Sequence, residues 1–389
     1  MAGISGEVLF NVSVLLASSF LVGEVFERIG LESIIGYIVT GLILGPALLN
    51  VMTPKSVAAF GSIGATLILF QAGLREENAI DIFRHEEGLD LGLSVLIGSF
   101  TFILAFLVFF GPSVLPYTEI QAFVLIALSY AIVDIGVPSK LMLSRNMLRD
   151  EVGTYTIKSC VINVTAGLAV LTVIALMASA GAKDLVLKVG SILGFTAVFF
   201  LLHEFIHRLD DYIVMFEETE AQFAITFALL LFMAYLTEAI GLSSVLGAFF
   251  AGIIVSRSEF SESRAFREKI SAIGEGLFIP IFFAWFGLTL KIFGPAGMLA
   301  NLEAAVFLFA LSTVSKFGIG YFMSRRHDME PFTVASSLLS LDIESLVVLL
   351  IGIDLGLLSE QILQIFAPSV LFTTTTIVVL FSVKQRMDL

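Results

Sequence analysis

The sequence predicts an all-α polytopic membrane protein of about 13 transmembrane helices. It reads as two inverted six-helix repeats joined by a linker helix, with crossed, broken helices in spans 5 and 12. Three observations carry this. The chain is 58% hydrophobic and 14% charged, with a mean hydropathy of +1.00; a soluble domain carries about 25% charge, so an aqueous surface could not be built from it. Residues 29–45, IGLESIIGYIVTGLILG, return at 240–256 as IGLSSVLGAFFAGIIVS, with seven of seventeen positions identical at an offset of 211. The basic residues, finally, gather on alternate loops.

The spans fall near 5–26, 31–49, 56–74, 88–111, 119–143, 152–181, 184–206, 219–239, 242–256, 270–292, 297–324, 331–353 and 360–383, each close to the length that crosses a bilayer. The second and ninth are short and glycine-rich and hold the duplicated motif. Residues 1–6 lack a basic region, so the first apolar run is expected to span rather than to be cleaved. The stretch 75–87 is polar and reads as an interfacial helix or loop. With the N-terminus outside, inner loops and the C-terminus collect fourteen of the 21 Lys and Arg residues, among them Arg145, Arg149, Arg264, Arg267, Lys269, Arg325 and Arg326. Outer segments hold only Lys55, Lys183, Lys188 and Lys291. The positive-inside rule therefore favours N-out and C-in. Spans 1–6 then start outside, span 7 carries the chain inward, and spans 8–13 start inside, which inverts the second repeat. Inverted repeats of this kind are a signature of secondary transporters, with sites near the midplane on broken helices. The net charge of −13 lies in loops and helix ends, and the single Cys160 excludes an intrachain disulfide or a cysteine-cluster metal site.

Span 5 contains Asp134, Gly136 and Pro138. Glycine and proline both disfavour a regular helix, and Pro138 removes a backbone donor. Its repeat partner, span 12, contains Ser340, Asp342, Glu344 and Ser345, and Asp134 plus 210 is Glu344. A charge at the bilayer centre costs at least about 2.5–3.5 kcal/mol, so such residues line a polar path or pair with another charge. Asp134 and Glu344 either serve an ion path or neutralise helix ends or Lys140, Lys158 and Lys316. Lys316 in span 11 is too deep to reach water and is expected to pair with an acid, Asp134 or Glu344. In span 6, Asn163 and Thr165 offer oxygens to a dehydrated cation, or hydrogen bonds to a broken or neighbouring helix. In span 7, His203-Glu204-Phe205-Ile206-His207 matches the H-E-x-x-H pattern of a zinc protease. The match lies on the linker near a helix end, and an inverted duplication has no use in a protease.

These residues make the whole chain resemble the monovalent cation:proton antiporter superfamily, in its bacterial and archaeal sodium(potassium)/proton exchanger branch. The carrying motifs are Gly36 to Pro46, Leu69 to Leu74, Gly241 to Gly252, Pro280 to Leu288, Lys316-Phe317-Gly318, and Glu344 after a polar break. The resemblance implies a dimerisation domain from 1–87 and 217–292. It implies a mobile core domain from 88–181 and 293–389, a linker helix at 182–216, and elevator-like alternating access. A homodimer in the plasma membrane is expected, with a monovalent cation and protons as cargo. No cofactor, resident metal, nucleic-acid partner or enzymatic activity is expected. The chain departs from the family in span 6, where Asn163-Val164 stand at the place of the usual acid. Asp134 is therefore the expected carrier, with Asn163, Thr165 and Glu344 beside it, and Lys316 and Asp342 balancing charge. One titrating acid gives electroneutral exchange, whereas a second proton from Lys316 would make exchange voltage-sensitive. The competing reading of Asn163-Val164 is an antiporter fold with altered or lost coupling, an uncoupled ion pathway or a sensor.

Overall fold

The computed structural model describes residues 5–28, 33–75, 88–134, 150–178, 201, 219–239, 244–256, 258, 261, 263–341 and 343–387. In chain order the helices are α1 (Gly6–Arg28), α2 (Ser33–Leu44), α3 (Pro54–Arg75), α4 (Leu89–Val114), α5 (Ile120–Ala131), α6 (Glu151–Ala178) and α7 (Thr219–Ala239). They continue as α8 (Ser244–Ser256), α9 (Arg264–Ile273), a π-turn (Gly274–Phe278), α10 (Ile279–Thr289), α11 (Leu302–Arg326), α12 (Pro331–Ser337), α13 (Ile343–Asp354) and α14 (Gln361–Met387). The described regular structure is all helical, and seven of its helical runs are long and apolar enough to cross a membrane. These helices fall at the predicted spans, and α2, α5 and α8 are the short apolar ones. The linker apart from residue 201, including His203, Glu204 and His207, and the stretch 76–87 lie outside the described residues.

The chain divides into two compact units. The first comprises Met1–Val25, Gly36–Glu77 and Thr172–Thr289. Its core packs Leu67 and Phe70 of α3 against Met233 of α7, Ala248, Ala251 and Ile254 of α8, and Phe266 of α9. Glycine lets the backbones approach, as expected where lipid gives helices no hydrophobic drive to associate. A Cβ on Gly41 of α2 would run into the Ala284 carbonyl of α10, and one on Gly287 of α10 into the Ile38 carbonyl of α2. The same contact is made again between Gly252 of α8 and Phe70 of α3, and between Gly73 of α3 and Phe249 of α8. Gly41 and Gly252 are the same residue of the duplicated motif.

Between α9 and α10 the helix widens. α9 is capped by Ser263, whose hydroxyl accepts from Phe266 N–H at 3.2 Å. It buries Phe266 and Ile270 and leaves Arg267 and Glu268 exposed. The π-turn then leads into α10, which is buried along nearly its whole length.

The second unit comprises Phe26–Ile35, Asn78–Leu171 and Leu290–Leu389. Here α4 and α11 pack together, α5 packs on α4 and α13, and α12 packs on α11 and α14. Its core includes Leu91, Val95, Val133, Cys160, Val334 and Leu338. One helix ends early and another is interrupted. α5 stops at Ala131, where Ile132 turns extended at φ −66°, ψ 141°. α12 stops at Ser337 and helix resumes only at Ile343. Pro331 sits at the start of α12, where its missing N–H costs nothing, and Glu330 caps it by accepting from Thr333 N–H at 2.7 Å.

Candidate ion site at the two helix breaks

Ending a helix inside a membrane leaves main-chain carbonyls without partners, and each must be satisfied by protein. The second unit does this with side chains from three other helices or breaks. Tyr130 O accepts from Ser312 Oγ at 2.7 Å, Ile132 O from Lys316 Nζ at 2.6 Å, and Asp134 O from Ser340 Oγ at 3.1 Å. Asn163 clamps the same strand of backbone: its Oδ1 accepts from Val133 N–H at 2.9 Å, and its Nδ2 lies 3.5 Å from Ala131 O. The other break is tied in reciprocally. Lys316 Nζ donates to Ser340 O at 3.3 Å, and Ser129 Oγ donates to Ser345 O at 2.8 Å.

Lys316 thus stands where α5 and α12 both end. Each helix C-terminus carries roughly half a negative charge, and the ammonium faces both. Lys316 is fully buried at 0% exposure and Asp134 and Glu344 at 4% each. Glu344 lies in the first turn of α13, where a carboxylate meets the positive helix end. Lys316 and Asn163 both reach the extended segment that carries Asp134. The sequence pointed to a carboxylate partner for Lys316. The hydrogen bonds described for its ammonium go to two main-chain carbonyls, Ile132 O and Ser340 O.

The predicted site residues are distributed as follows. Asn163 and Lys316 are brought onto the backbone of 131–133, beside Asp134, and Glu344 is buried in the first turn of α13. Thr165 is not: it stands about 200° around α6 from Asn163, is half-buried, and donates to Val161 O at 2.8 Å. Gly136, Pro138 and Asp342 lie outside the described residues. Sequence reasoning missed the serines. Ser129, Ser312 and Ser340 satisfy the broken backbone, and Ser345 is buried with a hydroxyl that has no hydrogen-bond partner among the described residues. The only signal for them was the presence of hydroxyls next to predicted breaks.

An all-helical, multi-pass membrane fold with interrupted helices meeting at buried charges is the architecture of a secondary ion transporter. The chain belongs to the sodium/hydrogen exchanger family, whose transmembrane model matches residues 14–384. This is a family of transporters and not of enzymes. The chain is 27% identical to a probable Na+/H+ antiporter 3 of Methanocaldococcus jannaschii, over 94% of both chains. It is 20% identical to the Na+/H+-K+ antiporter GerN of Bacillus cereus, over 95% of this chain and 94% of that one. Its fold matches the solved structure of the sodium proton antiporter MjNhaP1 of M. jannaschii with a TM-score of 0.70, at 15% identity and 95% coverage of each.

Proposed function

We propose that this protein exchanges a monovalent cation, Na+ or K+, for protons across the plasma membrane, with Asp134 as the group that carries either one. The observation that carries this reading is the buried Lys316 ammonium bonded to main-chain carbonyls of both helix ends, two residues before the buried Asp134 in one and four before the buried Glu344 in the other. A carrier must hold a cation or a proton while the site crosses the membrane, and Asp134 is the acid nearest the break in α5. Ser345 Oγ and main-chain oxygens of the breaks supply neutral ligands. Asn163 holds the α5 break open rather than carrying charge. Lys316 is the fixed counter-charge for two helix ends, so one cation exchanges for one proton and no net charge moves.

The wider arrangement follows the same reading. The second unit is the mobile core and the first the dimerisation domain of a homodimer, moving by an elevator. The twice-made glycine crossing, α2 on α10 and α8 on α3, supports two inverted six-helix repeats around a linker helix, 13 spans in all by the sequence count, with the N-terminus outside. One observation favours a second reading, an ion pathway without proton coupling: Asn163-Val164 stand at the place of the family's usual acid. Proteoliposomes with an imposed pH gradient decide between them. Added Na+ or K+ should release the gradient through the wild type, and Asp134→Asn should abolish that release while leaving the protein folded. Wild-type rates in Asp134→Asn would remove Asp134 from the mechanism, and a wild type that passes cations with no proton movement would establish the second reading.

A further inference from the structure

The first unit holds a cavity of about 330 Å³ beside the π-turn, lined by none of the residues of the ion site. Its apolar wall is Leu74 and Phe266, and its polar wall is Gln71, Arg267, Ser271 and Glu275. We propose that this cavity binds a zwitterionic phospholipid headgroup carrying a primary ammonium, of the phosphatidylethanolamine kind. The guanidinium of Arg267 receives the phosphate, the carboxylate of Glu275 receives the ammonium, and Leu74 and Phe266 meet the start of the acyl chains.

The cavity is built rather than incidental. Gln71 is 8% exposed and donates from Nε2 to Ile270 O at 3.2 Å. That carbonyl already accepts from Gly274 N–H, at the start of the π-turn. A π-turn shifts the helical register and opens such a carbonyl to a second donor, a feature that recurs at functional sites. Gly274 leaves the space for the amide, since a Cβ there would collide with Gln71 Nε2. Arg267 is anchored by Nε donating to Ser261 O at 2.9 Å, which pre-orients the guanidinium; a planar fork of this kind suits phosphate.

Charge and depth select the ligand. Among the described residues, the side chains lining the cavity carry one positive charge, Arg267, and one negative charge, Glu275, a pair that suits a zwitterion. The cavity lies where amphipathic α9, with Arg267, Glu268 and Lys269 outside its buried Phe266–Ile270 face, passes into apolar α10. A helix changing from amphipathic to apolar marks the membrane interface, where lipid headgroups lie.

The test reads the thermal unfolding of the whole purified protein in detergent, titrated with dihexanoyl phosphatidylethanolamine, phosphatidylcholine and phosphatidylglycerol, and with free phosphoethanolamine. The ethanolamine lipid should raise the Tm most. Choline lacks the N–H donors for Glu275, and glycerol lacks the charge. Arg267→Gln should weaken the ethanolamine lipid roughly tenfold, the scale of one lost charge-assisted hydrogen bond, and Arg267→Lys should restore part of it. Glu275→Gln should make the ethanolamine and glycerol lipids equivalent. Both positions are exposed, so neither change threatens folding. Equal shifts from all three lipids, or an ethanolamine shift that survives Arg267→Gln, would overturn the proposal. A shift from phosphoethanolamine as large as that from the lipid would overturn the lipid assignment in favour of a soluble ligand. None of these readings depends on transport, so a failed exchange assay and a failed lipid site are distinguishable.

Discussion

Lys316 Nζ is within hydrogen-bond distance of carbonyls from two different breaks, Ile132 O and Ser340 O. Replacing it with methionine, of similar length and no charge, removes the donor to both and the cation beside Asp134. Breaking a buried charged arrangement typically costs about 3–5 kcal/mol, so Lys316→Met should lower the Tm strongly. Adding Asp134→Asn should recover the part that belongs to the carboxylate, but not the part that belongs to the carbonyls. A double-mutant cycle read by thermal unfolding separates the two, and additivity of the single changes would show that Asp134 and Lys316 do not interact. At this scale the sequence was informative about charge and gave no role to the hydroxyls of Ser129, Ser312 and Ser340. A lysine or aspartate inside an apolar span stands out by its cost. Ser312 and Ser340 do not stand out, because serine is ordinary in membrane helices and their acceptors lie 182 and 206 residues away. Thr165 was grouped with Asn163 by proximity in sequence, yet two residues along a helix point to nearly opposite sides.

Among the elements, the duplicated motif acts through its glycines. Gly41 and Gly252 each sit against a carbonyl of another helix, where any side chain must push two backbones apart. Overpacking of this kind costs about 1–3 kcal/mol. Gly41→Ala and Gly252→Ala should each lower the Tm by similar amounts. Gly318→Ala on α11, with no atom within 4 Å of its Cβ, should be neutral or slightly stabilising, since alanine is the better helix former. Equal tolerance at all three positions would remove the close-packing account. The start of α12 gives a pH-dependent counterpart outside the membrane. Partial burial pushes the Glu330 carboxyl up, but the hydrogen bonds from Thr333 and the Lys384 ammonium outweigh it and hold it below the usual glutamate value near 4.5. A depressed folded-state value means the capping stabilisation is complete above the unfolded value and is lost as pH falls through the folded one. The Tm gap between wild type and Glu330→Gln should therefore be constant near neutrality and close below about pH 4.5. The glycine motif was legible because glycine is a local signal, whereas Gly136 and Pro138, expected to break span 5, lie outside the described residues. The π-turn at Gly274–Phe278 was not legible, because it depends on Gln71 of a helix some 200 residues earlier, and no periodicity announces that contact.

For the molecule as a whole, the proposed exchange moves one positive charge each way, with Lys316 fixed and Asp134 the single titrating acid of the cycle. Transport by the wild type should then be insensitive to a clamped membrane potential, since only net charge movement couples to voltage. Val164 offers a way to change the count. It is buried at 1% exposure on α6, directly after Asn163, which is bonded to Val133 beside Asp134. Val164→Asp returns an acid to the stretch where the family usually carries one. With two carboxylates and one fixed cation, two protons would exchange for one cation, and the rate should become dependent on voltage. Proteoliposomes clamped with K+ and valinomycin and driven with Na+ separate the outcomes. Voltage dependence appearing only in the variant supports Asp134 as the single carrier of the wild type. Voltage dependence already present in the wild type would mean that Lys316 gives up its proton during the cycle. An active wild type whose stoichiometry and voltage response are both untouched by Val164→Asp would argue against a carrier at Asp134, because an acid added beside a working site should not be silent.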